Sequence, residues 1–258
     1  MADELARAVE VLSDAARILV FTGAGISTPS GIPDFRGPDG LWTRIDPEDY
    51  HYDRHVGDAE FRRRTWERHL ASPFLGARPN PAHHAVTALW AADRTAGVVT
   101  QNVDGLHQAA GIPPVHLVEL HGNAARIACI SCGRREPVAP VAARWRAGEE
   151  DPRCLACGGV LKPDVVFFGE VLPRREVIRA WAMADDADAV LVVGSTLSVF
   201  PAASIPLELA ERGRPLVIVN RGPTDHDGFA TARLDGDAAV LLPALVAELG
   251  ADAASPRR

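Results

Sequence analysis

Four cysteines fall in one stretch of this 258-residue chain, as Cys129-x-x-Cys132 and Cys154-x-x-Cys157 with 21 residues between the pairs. That gap is just beyond the ~15–20 residues usual for paired zinc-binding turns. Two tight turns that each offer two thiolates suit tetrahedral Zn²⁺, and four cysteine ligands leave no position open for catalysis. The site reads as structural, holding together an insertion too small and polar to build its own core. A redox CxxC pair and two disulfides are the alternatives. The acidic start, Met1-Ala2-Asp3-Glu4, is not an export signal, which favours zinc and a cytoplasmic chain. His121 offers a different chemistry. It follows the apolar run 115–120 and precedes Gly122. An imidazole there can exchange a proton near neutral pH, or serve as a satisfied structural histidine.

The elements that must position these groups are legible as short apolar runs at 18–21, 97–100, 115–120, 165–168, 189–193 and 216–219. Such runs read as strands buried on both faces of a parallel sheet. Helical patterns at about 82–92, 174–185, 204–212 and 241–249 lie between or after them, which indicates an α/β fold. Residues 28–78 and 122–160 break the pattern and read as insertions forming a smaller second module. In an open parallel sheet, ligands bind outside the carboxyl ends of the strands. Those ends carry Gly23-Ala24-Gly25, Gln101-Asn102-Val103-Asp104, His121-Gly122, Gly194-Ser195-Thr196 and Asn220-Arg221. Together they describe a polar crevice along one sheet edge. The first turn lacks the third glycine of a dinucleotide fingerprint, since Thr28 and Pro29 stand in its place. Taken alone, Gly23-Ala24-Gly25 is a plain strand-to-helix turn; the breakers from Pro29 to Gly40 predict a long loop over the ligand.

Composition excludes several classes. No apolar run approaches the ~20 residues of a membrane span. A net charge of −7 carries no basic footprint, so direct nucleic-acid binding is not expected. Lys162 is the only lysine.

The chain resembles the sirtuins, NAD-dependent protein deacylases, over nearly its whole length. The matching segments are Gly23-Ala24-Gly25-Ile26-Ser27, Gly31-Ile32-Pro33-Asp34-Phe35-Arg36 and Thr100-Gln101-Asn102-Val103-Asp104-Gly105-Leu106-His107. They continue through His121-Gly122, the two CxxC pairs, Lys162-Pro163-Asp164, Phe168-Gly169-Glu170, Gly194-Ser195-Thr196-Leu197 and Val219-Asn220. The resemblance implies a Rossmann-like NAD-binding domain of a parallel sheet over 1–27, 79–121 and 161–258. Residues 28–78 would supply the cofactor loop and helical part of a small domain, and 122–160 its zinc ribbon.

The resemblance also implies roles. Gly23, Ala24 and Gly25 would cradle the pyrophosphate of NAD⁺, a co-substrate. Asp34, Phe35 and Arg36 would lie on the cofactor loop. Gln101, Asn102 and Asp104 would hold the nicotinamide end, with Asn102 and His121 in the chemistry and His121 as general base. Gly194, Ser195, Thr196 and Asn220 would hold the adenosine half, with Ala238 near the adenine. An acetylated lysine peptide would lie as an added strand between Val166, Phe167, Phe168, Gly169 and Glu170 on one side and a segment beginning at Leu197 on the other. The implied activity is removal of acetyl groups from protein lysines. The alternatives are longer acyl chains, mono-ADP-ribosyl transfer on the same scaffold, or an NAD- or protein-binding module without activity. A desuccinylase branch of the family carries a Tyr-x-x-Arg pair; here Arg68 is present but Thr65 stands at the tyrosine place. That departure favours deacetylation.

Overall fold

The computed structural model describes residues 2–35, 37, 40–43 and 45–251. The chain runs α1 (Ala2–Ser13), β1 (Ile18–Thr22), α2 (Tyr52–Gly57), α3 (Ala59–Leu70), α4 (Pro81–Ala91), β2 (Thr95–Thr100), α5 (Leu106–Ala110) and β3 (Leu117–Glu119). It continues with β4 (Gly122–Cys129), β5 (Arg135–Pro137), α6 (Val138–Arg146), β6 (Leu161–Val165), α7 (Arg174–Asp185), β7 (Ala189–Val193), α8 (Ser204–Glu211), β8 (Leu216–Asn220), β9 (Ala232–Asp235) and α9 (Ala238–Glu248).

Six strands form one parallel sheet in the order β3-β2-β1-β7-β8-β9. β1, β2, β7 and β8 are buried along their whole length, as their unbroken apolar runs require. Alternate residues feed the two faces. Ile18 and Val20 join a core with α1, α4 and α9, while Leu19 and Phe21 join one with α7 and α8. The chain order reverses between β1 and β7, the point at which open α/β sheets bind ligands.

The second sheet is small and antiparallel, in the order β5-β4-β6. Here the sequence expectation needs correction. The apolar run 165–168 is not a strand of the large sheet. The strand is Leu161–Val165, and it pairs with β4 in the small one. Residues just past 160 thus belong to the cysteine-bearing sheet. This sheet also has a modest core of its own, in which Ile127, Cys129, Val141, Cys154 and Leu161 pack with Trp66 from α3. Trp66 therefore ties the 28–78 insertion to the cysteine module. Arg62 adds a second tie: its buried guanidinium makes a bidentate pair with Asp151 at 2.9 and 2.8 Å and donates to the carbonyls of His55 and Val56. Among the described residues, no helix is long and apolar enough to cross a membrane.

Candidate active site

The carboxyl ends of β1, β2 and β7 meet in a crossing that only glycine permits. The Gly25 N–H donates to the Gly194 carbonyl at 2.8 Å. A Cβ on Gly194, whose φ is +64°, would stand 2.2 Å from the Ile26 nitrogen, and one on Gly25 would stand 2.8 Å from the Gly194 Cα. These glycines let two strand ends touch. They leave the N–H groups of Ala24 and Thr196 without a partner among the described residues. Main-chain N–H groups at such an edge suit anionic phosphate oxygens.

Next to this crossing is a directed hydrogen-bond network. Asn102 is buried, and its amide donates to the Gly23 carbonyl at 3.1 Å and the Ser27 hydroxyl at 3.2 Å. Ser27 in turn donates to Asp104 Oδ2 at 2.8 Å. His83 accepts the Asn80 N–H at Nδ1, so its Nε2–H faces Ser27 Oγ at 3.4 Å. Burial raises the Asp104 carboxyl above its usual range, against the lowering effect of the Leu106 N–H and the Ser27 hydroxyl. Gln101 bridges two sequence-predicted groups. Its amide donates to Ser195 Oγ at 2.8 Å, and its carbonyl accepts the His121 Nδ1–H at 2.8 Å. That bond fixes the neutral His121 with its proton on Nδ1, so its lone pair is on Nε2.

The structure brings Gly23, Gly25, Gln101, Asn102, Asp104, His121, Gly194 and Ser195 into one connected edge. Thr196 is exposed there, with its hydroxyl 2.9 Å from that of Ser198. Asn220 ends β8 and turns its amide onto the carbonyls of Arg221 and Gly222. Ala238 begins α9 behind the Asp237 cap. Asp34 closes its own turn by accepting the Gly37 N–H, and Phe35 follows it half-buried. Arg36 lies outside the described residues.

The Leu197 side chain is 0 % exposed in the core, at a φ of +58°, and its N–H donates to Ser195 Oγ at 3.2 Å, so its carbonyl is what it offers a peptide. Phe168 pairs both its main-chain groups with the chain at Tyr50 and Tyr52, each at 2.9 Å. Glu170 accepts the Phe167 N–H and pairs with Lys162 at 3.0 Å. The Val166 carbonyl and the Gly169 N–H, with the Gly169 and Glu170 carbonyls, are left without partners among the described residues. The lone lysine is 6 % exposed; besides Glu170, it grips the Val165 carbonyl and stacks over Phe167, so it props this segment from inside.

Sequence reading missed the polar layer beneath the site. The Thr22 hydroxyl bonds to Thr100 Oγ1 and contacts His107 Nε2 at 2.9 Å, and the His83 and His107 rings meet edge-on at 5.2 Å. The one available signal was the pair of threonines ending adjacent apolar runs. Burial lowers His55, His69 and His83 to about 4 and His107 to about 3. The unfolded chain protonates these groups near 6.5, so the folded state loses stability as pH falls below that value. By pH 5 each contributes a loss of about 2 kcal/mol. Thermal melts are expected to show a marked drop in Tm between pH 7 and pH 5; an unchanged Tm would contradict the buried neutral imidazoles.

The four cysteine sulfurs lie within 4.8 Å of one another, with Cys129–Cys157 at 3.5 Å and Cys132–Cys154 at 3.8 Å, and all four are free thiols. Four ligands at ~2.3 Å around a tetrahedral zinc are about 3.8 Å apart, so the geometry fits zinc and not disulfides.

A family model described as the Sir2 family matches residues 23–201. The chain is 45% identical over 236 residues to NAD-dependent protein deacetylase 2 of Streptomyces coelicolor, covering 90% of this chain and 98% of that protein. It is 40% identical over 254 residues to NAD-dependent protein deacylase 2 of Archaeoglobus fulgidus, covering 96% and 97%. Its structure is similar to one solved in work on the mechanism and regulation of Sir2 enzymes, with a TM-score of 0.87, 39% identity and coverage of 97% and 99%. It is also similar to a Sir2 bound to acetylated peptide, with a TM-score of 0.82, 33% identity and coverage of 94% and 97%.

Proposed function

The chain belongs to the Sir2 family, and on that premise we propose that it uses NAD⁺ to remove acetyl groups from protein lysines, releasing nicotinamide and 2′-O-acetyl-ADP-ribose. The observation that carries this reading is the His121 bond to the Gln101 carbonyl, which sets a lone pair at the edge where Asn102, Asp104 and the glycine crossing converge. The names of the relatives support the reaction class.

Bound NAD⁺ supplies the ribosyl carbon that takes the acyl oxygen as nicotinamide leaves. The residues present fit such a ligand. The Ala24 and Thr196 N–H groups would hold the pyrophosphate, and Asn220, whose N–H₂ is held by the Arg221 and Gly222 carbonyls, would hold the adenosine half. With its N–H₂ held by Gly23 and Ser27, Asn102 presents its amide oxygen to the nicotinamide side. Asp104 anchors that segment through Ser27 and the Leu106 N–H. His121 Nε2 takes the proton from the ribose hydroxyl that receives the acyl group. The substrate peptide adds its main chain at the Val166 carbonyl and Gly169 N–H, and Lys162 and Glu170 hold that segment in place. Zinc held by Cys129, Cys132, Cys154 and Cys157 is structural. We assign the parallel sheet and its helices to cofactor binding and the 28–78 and 122–165 segments to the small domain.

The test is to incubate the protein with NAD⁺ and an acetyl-lysine peptide. Nicotinamide release should require the acetylated peptide, and the peptide should lose its acetyl group. A peptide that gains ADP-ribose would instead establish ADP-ribosyl transfer.

A further inference from the structure

Two half-exposed phenylalanines stand beside the segment that begins at Leu197. Phe200 belongs to that segment and is 57 % exposed, and Phe229 is 49 % exposed. The His226 ring is buried between them, with ring centres 6.4 Å from Phe200 and 6.3 Å from Phe229. The Asp225 N–H donates to the Thr196 carbonyl at 3.0 Å, which ties the turn carrying His226 and Phe229 to the start of the segment.

The charge around this aromatic pair has one sign. Asp227 is matched by Arg233 at 3.2 Å, and Arg212 is turned to Asp185 and Glu208. Asp225 and Glu211 are exposed, and neither has an arginine or lysine partner among the described residues. Both carboxylates act on His226 and raise it, but burial lowers it more, so the ring is neutral near pH 7. Two aromatic rings therefore stand beside two uncompensated negative charges. A cation is attracted by both, through the ring quadrupole and through the carboxylates.

We propose that Phe200, Phe229, Asp225 and Glu211 form a subsite for an arginine or lysine side chain of the substrate protein, to one side of the acetylated lysine. The inference rests on the deacetylase reading. The Leu197 carbonyl and the Val199 N–H have no partners among the described residues, so a peptide strand added there is continuous with Phe200. A strand rises ~3.3 Å per residue, so the residue that reaches Phe200 stands about two to four positions from the acetylated lysine. An apolar side chain at that place gains the rings but not the carboxylates, and an acidic one meets like charge. The net charge of −7 favours the same basic substrates at longer range.

The experiment measures kcat/KM with NAD⁺ for acetyl-lysine peptides on an alanine background. Arginine, norleucine or glutamate is placed in turn at each of the four positions on either side of the acetylated lysine. Arginine at one or two positions on one side should raise kcat/KM about tenfold over alanine, with norleucine behind arginine and glutamate below alanine. At that position, Asp225→Asn and Phe229→Ala should each lower the arginine-to-alanine ratio to about threefold, and the double variant should bring it to about one. Equal turnover of arginine and alanine peptides at every position would overturn the proposal. So would norleucine matching arginine, which would make the pair an apolar surface without charge preference. Both wild-type comparisons decide even where a variant fails to fold. An unchanged ratio in the folded double variant would also overturn it. No acetyl loss from any peptide would overturn the deacetylase reading itself, and this proposal with it.

Discussion

Replacing His121 with alanine is expected to leave a folded protein that binds NAD⁺ but transfers acetyl groups about 10²–10⁴-fold more slowly. The imidazole is half-buried at the sheet edge and outside the hydrophobic clusters, and its Nδ1–H is fixed by the Gln101 carbonyl. Truncation should therefore shift Tm by only a few degrees. Single-turnover measurement of acetyl loss, with a melt of the same sample, separates the two effects. Turnover within tenfold of the wild type in a folded variant would remove His121 from the proton-transfer role.

The second large effect concerns the cysteines. Cys129 is buried in the module's core beside Ile127, Val141 and Leu161, and its sulfur lies 3.5 Å from that of Cys157. In zinc-finger peptides a structural zinc contributes about 10–16 kcal/mol of folding free energy. The cluster that packs on Trp66 is small, so the module cannot lose such a contribution and stay folded. Cys129→Ala is expected to lose zinc and unfold the small domain. Activity should go with it, because β6 of that domain leads directly into the 166–170 segment. Tryptophan fluorescence reports the change through Trp66, and metal analysis reports the zinc. A fully active, zinc-free variant would contradict the structural role.

Much of the large sheet was legible because its strands are buried on both faces. Unbroken apolar runs such as 189–193 then have one reading, and their ends display the ligand edge directly. The run 165–168 misled for the opposite reason. Phe167 and Phe168 are apolar, but they pack on Lys162 and the 50–52 chain at the junction of two modules. Local pattern does not report which sheet a strand joins. Leu197, which the resemblance places at the start of a peptide-flanking segment, turns its side chain into the core through a left-handed backbone that its local sequence does not announce. Ser27, His83 and His107 were missed as a network because they come from distant segments and meet only after folding. The Arg62–Asp151 pair joins residues 89 apart and left no sequence signal.

The central claim is that the acetyl group leaves lysine for ADP-ribose at this edge. The most direct test is the stoichiometry of one turnover with NAD⁺ and a peptide carrying a labelled acetyl group. The account predicts one nicotinamide and one deacetylated lysine per labelled 2′-O-acetyl-ADP-ribose. Labelled free acetate formed without NAD⁺ consumption, or nicotinamide released with the acetyl group still on the peptide, would contradict it.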